Sequence, residues 1–314
     1  DELRTKNHSL TSKHLHLTKG VHIVLPHSKF PLKQAIYFDF PDKRMVFAIP
    51  RGKITYIGTT DTDYSGDKDK ILTTKADVEY LIKGTNHAFP KLNLKVKDVE
   101  SSWAGVRPLI HEDGKSASEI SRKDEIFESE TGLISIAGGK LTGYRKMAEK
   151  VVDRLYDRLN DEEDLPIVET KTTHIDLDNG AFKNAKAVKK YRKTIREQLE
   201  VIGLEKYYAG YLVSNYGKVT DEIIEGMNAF DNKALHLKLI RSELRYCLEN
   251  EMVFSIQDFY IRRTGRLYFD IHSIKPTLEV ILKDFQNHFG WSAEKVLSEK
   301  EAMEKAIEEV SVFG

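Results

Sequence analysis

From Gly20 onward the chain reads as short apolar runs. GVHIVLP, QAIYFDF, RMVFAIP and KITYIGTT are rich in β-branched and aromatic residues and are parted by tight polar links. Two links, Phe40-Pro-Asp-Lys-Arg44 and Pro50-Arg-Gly-Lys53, carry the residues that turns between antiparallel strands require. The four runs are therefore predicted to form a meander. Thr73 to Ala88 then has helical spacing, with Val78, Leu81 and Ile82 on one face and Thr74 placed as N-cap. Strand patterns return at LKVKDVESSWAGVRPLI, SEISRKDEIFES and GLISIAG. A helix opening at Leu141 is predicted to end near Leu159, before Asn160-Asp-Glu-Glu-Asp164 and Pro166.

From about Ala181 the period is helical to the end, in segments separated by Gly, Asn or Asp, with Ser292 as an N-cap. The predicted fold class is α+β: a β-rich, antiparallel-sheet domain over residues 1–168, with a strand-Gly-Gly-helix segment at 133–159, followed by an all-α domain over 169–314. The first twenty residues are polar with no apolar period, and the chain opens on Asp1, as a cut inside a larger protein would.

Composition narrows the chemistry. Lys plus Arg equals Asp plus Glu at 49 each, so net charge argues neither for nucleic acid nor for an acidic partner. Cys247 is the single cysteine, which excludes an intrachain disulfide and a cysteine-rich metal site and fits a reducing cytoplasm. Its setting, ELRYCLENEM, reads as a buried helix thiol. His8, His14 and His16 lack metal-ligand spacing, so no metal site is predicted. No run approaches the roughly 18 to 20 apolar residues of a membrane span.

Candidate chemistry centres on Leu133–Lys150, LISIAGGKLTGYRKMAEK. An apolar run ending at Ala137 reads as a buried strand, Gly138 and Gly139 as a turn, and Leu141 as the start of an amphipathic helix. Unpaired amides at a helix start carry the positive end of its dipole, and glycines let a ligand approach the backbone. Lys140 and Thr142 add a cation and a hydroxyl. A plain connection has the same local pattern. Arg107, before Pro108 at a strand end, suits a surface position and an anion contact equally well. Arg122 falls on the face of Ile120 and Asp124, where a solvated strand face is the simpler reading. His22 lies opposite Val21 and Ile23, as a hydrogen-bonded core histidine or as a base that takes a proton near neutral pH. The Gly58–Thr62 stretch, GTTDT, is a polar strand end that suits a ligand contact or a turn, with the turn the simpler reading.

Taken together, KGVHIVLP, FPLKQAIYFDFPDKRMVFAIPRGKITYIGTTDT, SSWAGVRPLI, EISRKDEIFE and ISIAGGKLTGYRKMAEK resemble, in order, the aerobic FAD-dependent glycerol-3-phosphate dehydrogenases. NEMVFSIQDFYIRRTGRLYFDI resembles their helical C-terminal domain. The resemblance implies oxidation of sn-glycerol 3-phosphate to dihydroxyacetone phosphate, with electrons passed through FAD to a membrane quinone, and a peripheral place on the cytoplasmic membrane. Glycerol-3-phosphate oxidases, which use oxygen, are the near alternative; they commonly carry an insertion in the substrate half that is not visible here. Carried over by motif, Arg107 and Arg122 are substrate-site arginines, with guanidinium forks suited to a phosphate dianion. Lys140 and Thr142 lie beside flavin and substrate. Gly138, Gly139, Lys140, Leu141 and Thr142 form the cofactor contact, and His22 with Arg107 forms the catalytic pair.

The family's opening strand and GxGxxG turn have no match here. The chain alone is therefore expected to lack a complete FAD site and to be inactive, with apolar surface on the 133–159 segment either exposed or covered in a homodimer. Two other readings stand beside this one. One is a different amine or hydroxy-acid oxidase of the same superfamily. The other is a non-catalytic membrane or subunit docking module, motivated by the basic cluster Lys183, Lys186, Lys189, Lys190, Arg192, Lys193 and Arg196, for which a solvated helix face is the plainer account.

Overall fold

The computed structural model describes residues 1–8, 13–112, 123–163, 166, 168–175 and 182–313. In chain order the first elements are α1 (Glu2–Lys6), β1 (Lys13–Pro26), β2 (Ile36–Asp39), β3 (Met45–Arg51), β4 (Ile54–Gly58) and β5 (Thr62–Asp63). α2 (Lys75–Ala88), β6 (Ser101–Glu112), β7 (Glu125–Glu128), β8 (Ile134–Ala137) and α3 (Tyr144–Glu163) follow. The helical part comprises α4 (Ala185–Ile202), α5 (Tyr207–Tyr216), α6 (Thr220–Gly226), α7 (Leu235–Asn250), α8 (Arg266–Phe269), α9 (Ile274–Phe289) and α10 (Ala293–Ser311). These elements fall into two compact units: Asp1–Gly20 with Asp61–Ile71 and Gly105–Ile175, and Val21–Thr60 with Leu72–Ala104 and Asp176–Gly314.

In the second unit β2, β3 and β4 form the expected meander, but β1 lies beside β4 instead of β2. Burial explains the departure. Val21, Ile23, Val24 and Leu25 are all fully buried, so β1 is apolar on both faces and takes an interior place, whereas β2 alternates half-buried and exposed residues as an edge strand can. α2 closes over this sheet. Thr74 caps it in a reciprocal box: the Asp77 amide donates to Thr74 Oγ1 at 3.3 Å and the Thr74 amide donates to Asp77 Oδ2 at 2.9 Å. The predicted face of α2, Val78, Leu81 and Ile82, packs in one cluster with Val21, Ile23, Leu25 and Ile57.

The helices of this unit build their own core, with Phe259, Tyr260 and Phe285 among its largest buried side chains. Ser292 caps α10, accepting from the Lys295 amide at 3.1 Å. Cys247 is buried in α7, as its sequence setting implies, and burial with nearby Glu243 pushes its thiol pKa up. Arg266 and Glu243 form a buried ion pair of 2.7 Å. Glu243 also accepts from Tyr211 at 2.5 Å and Tyr216 at 2.7 Å, so the carboxylate is hydrogen-bonded from three sides.

In the first unit the polar opening contributes more structure than its pattern shows, since α1 and the first half of β1 lie there. β1 pairs with β5 through Thr18↔Asp63 and Lys19↔Thr62. β7 and β8 form a separate antiparallel pair. Lys150 and Arg154 of α3 reach Asp124 and Glu128 beside this pair, at 2.5 and 2.9 Å. β8 is half-buried, not buried as expected, because a two-stranded ribbon leaves faces uncovered. The helix also starts differently: Leu141–Gly143 form a 3₁₀ turn, α3 begins at Tyr144, and it runs on to Glu163. Its apolar residues Tyr144, Val152, Leu155 and Leu159 stay exposed, with Leu141 at the turn 89% exposed.

Candidate functional site

The strand-turn-helix segment is built from glycine. Gly138 and Gly139 have φ of +78° and +75°, a region in which side chains are strained. A Cβ on Gly138 would also meet the Lys123 carbonyl oxygen at 2.3 Å, and one on Gly139 the Met147 sulfur at 2.8 Å. The double turn sends the chain from Ala137 into Lys140, which has extended backbone at φ −129° just ahead of the 3₁₀ turn. Lys140, Leu141 and Thr142 are all exposed. Among the described residues the Lys140 ammonium has no carboxylate partner, whereas Arg145 and Lys146 both pair with Glu149. The result is an unneutralised cation and a hydroxyl at the mouth of a helix start. An anion or an electron-rich ring edge is the natural complement.

Arg107 belongs to the same unit. It is half-buried on β6 and its Nη1 lies 3.3 Å from Asp61 Oδ1, so the arginine is anchored by the GTTDT segment. That segment is not the turn expected from sequence: Gly58 ends β4 and Thr62 opens β5, both antiparallel to β1, so the chain runs on along that strand, and Asp61 within it is a residue whose role the sequence reading missed. The polar strand end was its visible signal. Arg122 lies outside the described residues.

His22 belongs to the second unit, where its register partner on β4 is Gly58. Its ring stacks on Trp103 with centroids 4.7 Å apart and planes 12° from parallel. Tyr56 meets it edge-on at 6.1 Å. A Cβ on Gly58 would sit 2.2 Å from the imidazole, so the bare backbone there makes room for the ring. His22 is half-buried, between a packed core histidine and an open base. Neither Gly58 nor Trp103 was identified by sequence reasoning as its support, since strand pairing alone brings them together. No group of three or more His, Cys, Asp or Glu is arranged to hold a metal among the described residues.

Comparison with known proteins adds what geometry alone does not. Residues 3–145 match the family described as FAD dependent oxidoreductase, and residues 170–296 the C-terminal domain of alpha-glycerophosphate oxidase. The chain is 43% identical over 315 aligned positions to an aerobic glycerol-3-phosphate dehydrogenase of Bacillus subtilis (strain 168), covering 99% of this chain and 57% of the relative. A Staphylococcus haemolyticus protein of the same name is 45% identical over 99% of this chain and 56% of its own length. The solved structure of the glycerol-3-phosphate dehydrogenase from Bacillus halodurans complexed with FAD superposes with a TM-score of 0.83 at 38% identity, covering 100% of this chain and 61% of that one. The chain thus spans little more than half the length of the curated relatives it matches. Its two matched regions and its similarity from end to end place it in the FAD-dependent oxidoreductase family, in the group of the aerobic glycerol-3-phosphate dehydrogenases.

Proposed function

We propose that this chain supplies the substrate-binding part of a flavin-linked dehydrogenase that oxidises sn-glycerol 3-phosphate to dihydroxyacetone phosphate. The observation that supports the reading is the Gly138–Thr142 segment, whose two positive-φ glycines, exposed Lys140 ammonium and exposed Thr142 hydroxyl suit the ring edge of a two-electron cofactor. Bound FAD supplies a hydride acceptor. The residues of this chain do the rest. The Lys140–Thr142 segment, just ahead of α3, would hold the flavin ring edge with its amides and the Lys140 ammonium, a setting that would favour negative charge there. Arg107 and Arg122 bind the phosphate dianion through their forks, Arg107 held in orientation by Asp61. His22, held flat between Gly58 and Trp103, takes the C2 hydroxyl proton as the C2 hydrogen leaves with its electron pair.

The same reading includes a quinone as final acceptor and peripheral association with the cytoplasmic membrane. It also includes a cover for the apolar row on α3, either the family's nucleotide-binding sheet or a second copy in a homodimer. No helix among the described residues is long and apolar enough to cross a membrane.

The test is turnover of glycerol 3-phosphate by the intact protein containing this chain, with a quinone analogue and with oxygen supplied separately. Replacing His22 by Asn is expected to lower kcat by about 10²-fold or more, the usual worth of a positioned base, with the flavin spectrum unchanged. Unchanged kcat would remove His22 from the mechanism. Faster turnover with oxygen than with the quinone analogue would move the assignment to the oxidases.

A further inference from the structure

A cleft in the second unit has a charge pattern that the proposed chemistry does not use. It is a cavity of about 490 Å³ between α4 and α5, within the size range of small-molecule sites. Five cations line it, Lys189, Arg192, Lys193 and Arg196 from α4 and Lys206 from the start of α5, and no carboxylate does. α4 puts four cations there because positions 189, 192, 193 and 196 recur at three- and four-residue spacing on one face. Their neutralisation is slight. Lys193 and Arg196 reach Glu197 and Glu200 only at 3.6 and 3.7 Å, and Lys189, Arg192 and Lys206 have no ion pair among the described residues. Glu304, Glu308 and Glu309 on α10 form no ion pair with these cations among the described residues.

A second cavity of about 380 Å³ shares Arg192, Tyr207 and Gly210 with the first and adds Arg51 at its rim. Arg266 also lines this cavity. It is 4% exposed, and its Nε has no hydrogen-bond partner although its Nη2 is bound to Glu243. A buried guanidinium donor left unsatisfied is uncommon in folded proteins and marks a place where an acceptor is missing. Asp270 lines the cavity as well, and Arg266 Nη1 approaches it at 3.7 Å.

A cleft walled by one sign of charge concentrates the field and draws in counter-ions. Guanidinium and ammonium groups together match the oxygens of phosphate better than a single carboxylate. The cations converge on a concave pocket of small-molecule size, which suits a compact anion more than an extended polymer. We propose that the cleft between α4 and α5 is a binding site for a phosphate-bearing anion, with the α4 cations and Lys206 holding the phosphates and Arg192 shared with the adjoining cavity. The site stands independently of the oxidoreductase reading above.

Calorimetric titration of the purified protein with inorganic tripolyphosphate tests it. Flotation with vesicles of phosphatidylcholine, with and without phosphatidylglycerol, forms the second arm. The diagnostic variant is Lys189→Glu with Arg192→Glu, both exposed. The control is Lys186→Glu with Lys190→Glu, the same charge change on α4 outside both cavities. Saturable tripolyphosphate binding, weakened about tenfold or more by the cleft pair and little by the control, is the expected result. Binding to the anionic vesicles that follows the same variants and is competed by tripolyphosphate identifies the phosphate as a lipid headgroup; tripolyphosphate binding without vesicle binding identifies a soluble ligand. Equal weakening by both pairs, or no saturable binding in either arm, overturns the proposal. If the cleft pair lowers the thermal midpoint, Lys189→Ala with Arg192→Ala replaces it under the same criteria.

Discussion

His22 shows how little of a residue's setting lies in its own neighbourhood. Alternation along β1 separates it from Val21 and Ile23, and this much was legible. What holds the ring is the Trp103 face and the missing Cβ of Gly58, both delivered from other strands, and no local pattern announces them. Gly58→Ala is therefore expected to force the imidazole or the strand aside, costing about 1–3 kcal/mol by overpacking. Denaturant unfolding measures that cost, and turnover of the intact protein should fall with it. Stability within a few tenths of a kcal/mol of the parent would mean the ring has another place to go. Gly138 and Gly139 are the contrasting case, because two adjacent glycines between an apolar run and a helical period signal the turn directly, and both have positive φ.

Elements that depend on local chemistry were readable, and those that depend on distant pairing were not. The Thr74 cap, the Val78–Leu81–Ile82 face and the Ser292 cap all follow from residues a few positions apart. The place of β1 beside β4 does not, because the turns predict only that successive strands can pair. The buried apolar residues on both faces of β1, Val21, Ile23 and Leu25 on one and Val24 on the other, decide the matter. The start of α3 was misplaced by three residues for a related reason: the 3₁₀ turn at Leu141 shares its apolar pattern with the helix it precedes. Thr74→Ala is expected to cost about 1 kcal/mol, the usual worth of an N-cap. Because Asp77 returns a hydrogen bond to the Thr74 amide, a double-mutant cycle with Asp77→Ala should give non-additive losses, readable by thermal or chemical denaturation.

At the scale of the molecule, the helical unit concentrates tyrosines that resist ionisation. Burial, then the charge of Asp270, pushes Tyr207 up to about 12, and burial together with Glu243 raises Tyr211 and Tyr216 well above their usual value. The sign follows from proton binding: the folded state keeps these protons at a pH where the unfolded chain has released them. Their contribution is thus full below about pH 10, the ordinary tyrosine value, and that of Tyr207 is lost as pH rises toward 12. Stability should fall steeply across that window, and the part of the phenolate absorbance that belongs to the buried tyrosines should appear only with unfolding. Phenolate absorbance that rises fully while the helical circular dichroism persists would contradict this account.

The stacking of Trp103 on His22 also makes the protein its own optical probe. The chain has two tryptophans, and Trp291 is stacked on Phe285 and Phe289 in the helical core. An imidazolium against an indole quenches its emission by electron transfer, whereas a neutral imidazole does so weakly. In a Trp291→Phe variant the remaining fluorescence comes from Trp103 alone, and His22→Asn should change it by removing the ring stacked on the indole. Stopped-flow emission could then follow changes in this one stack through a catalytic cycle, without any added label.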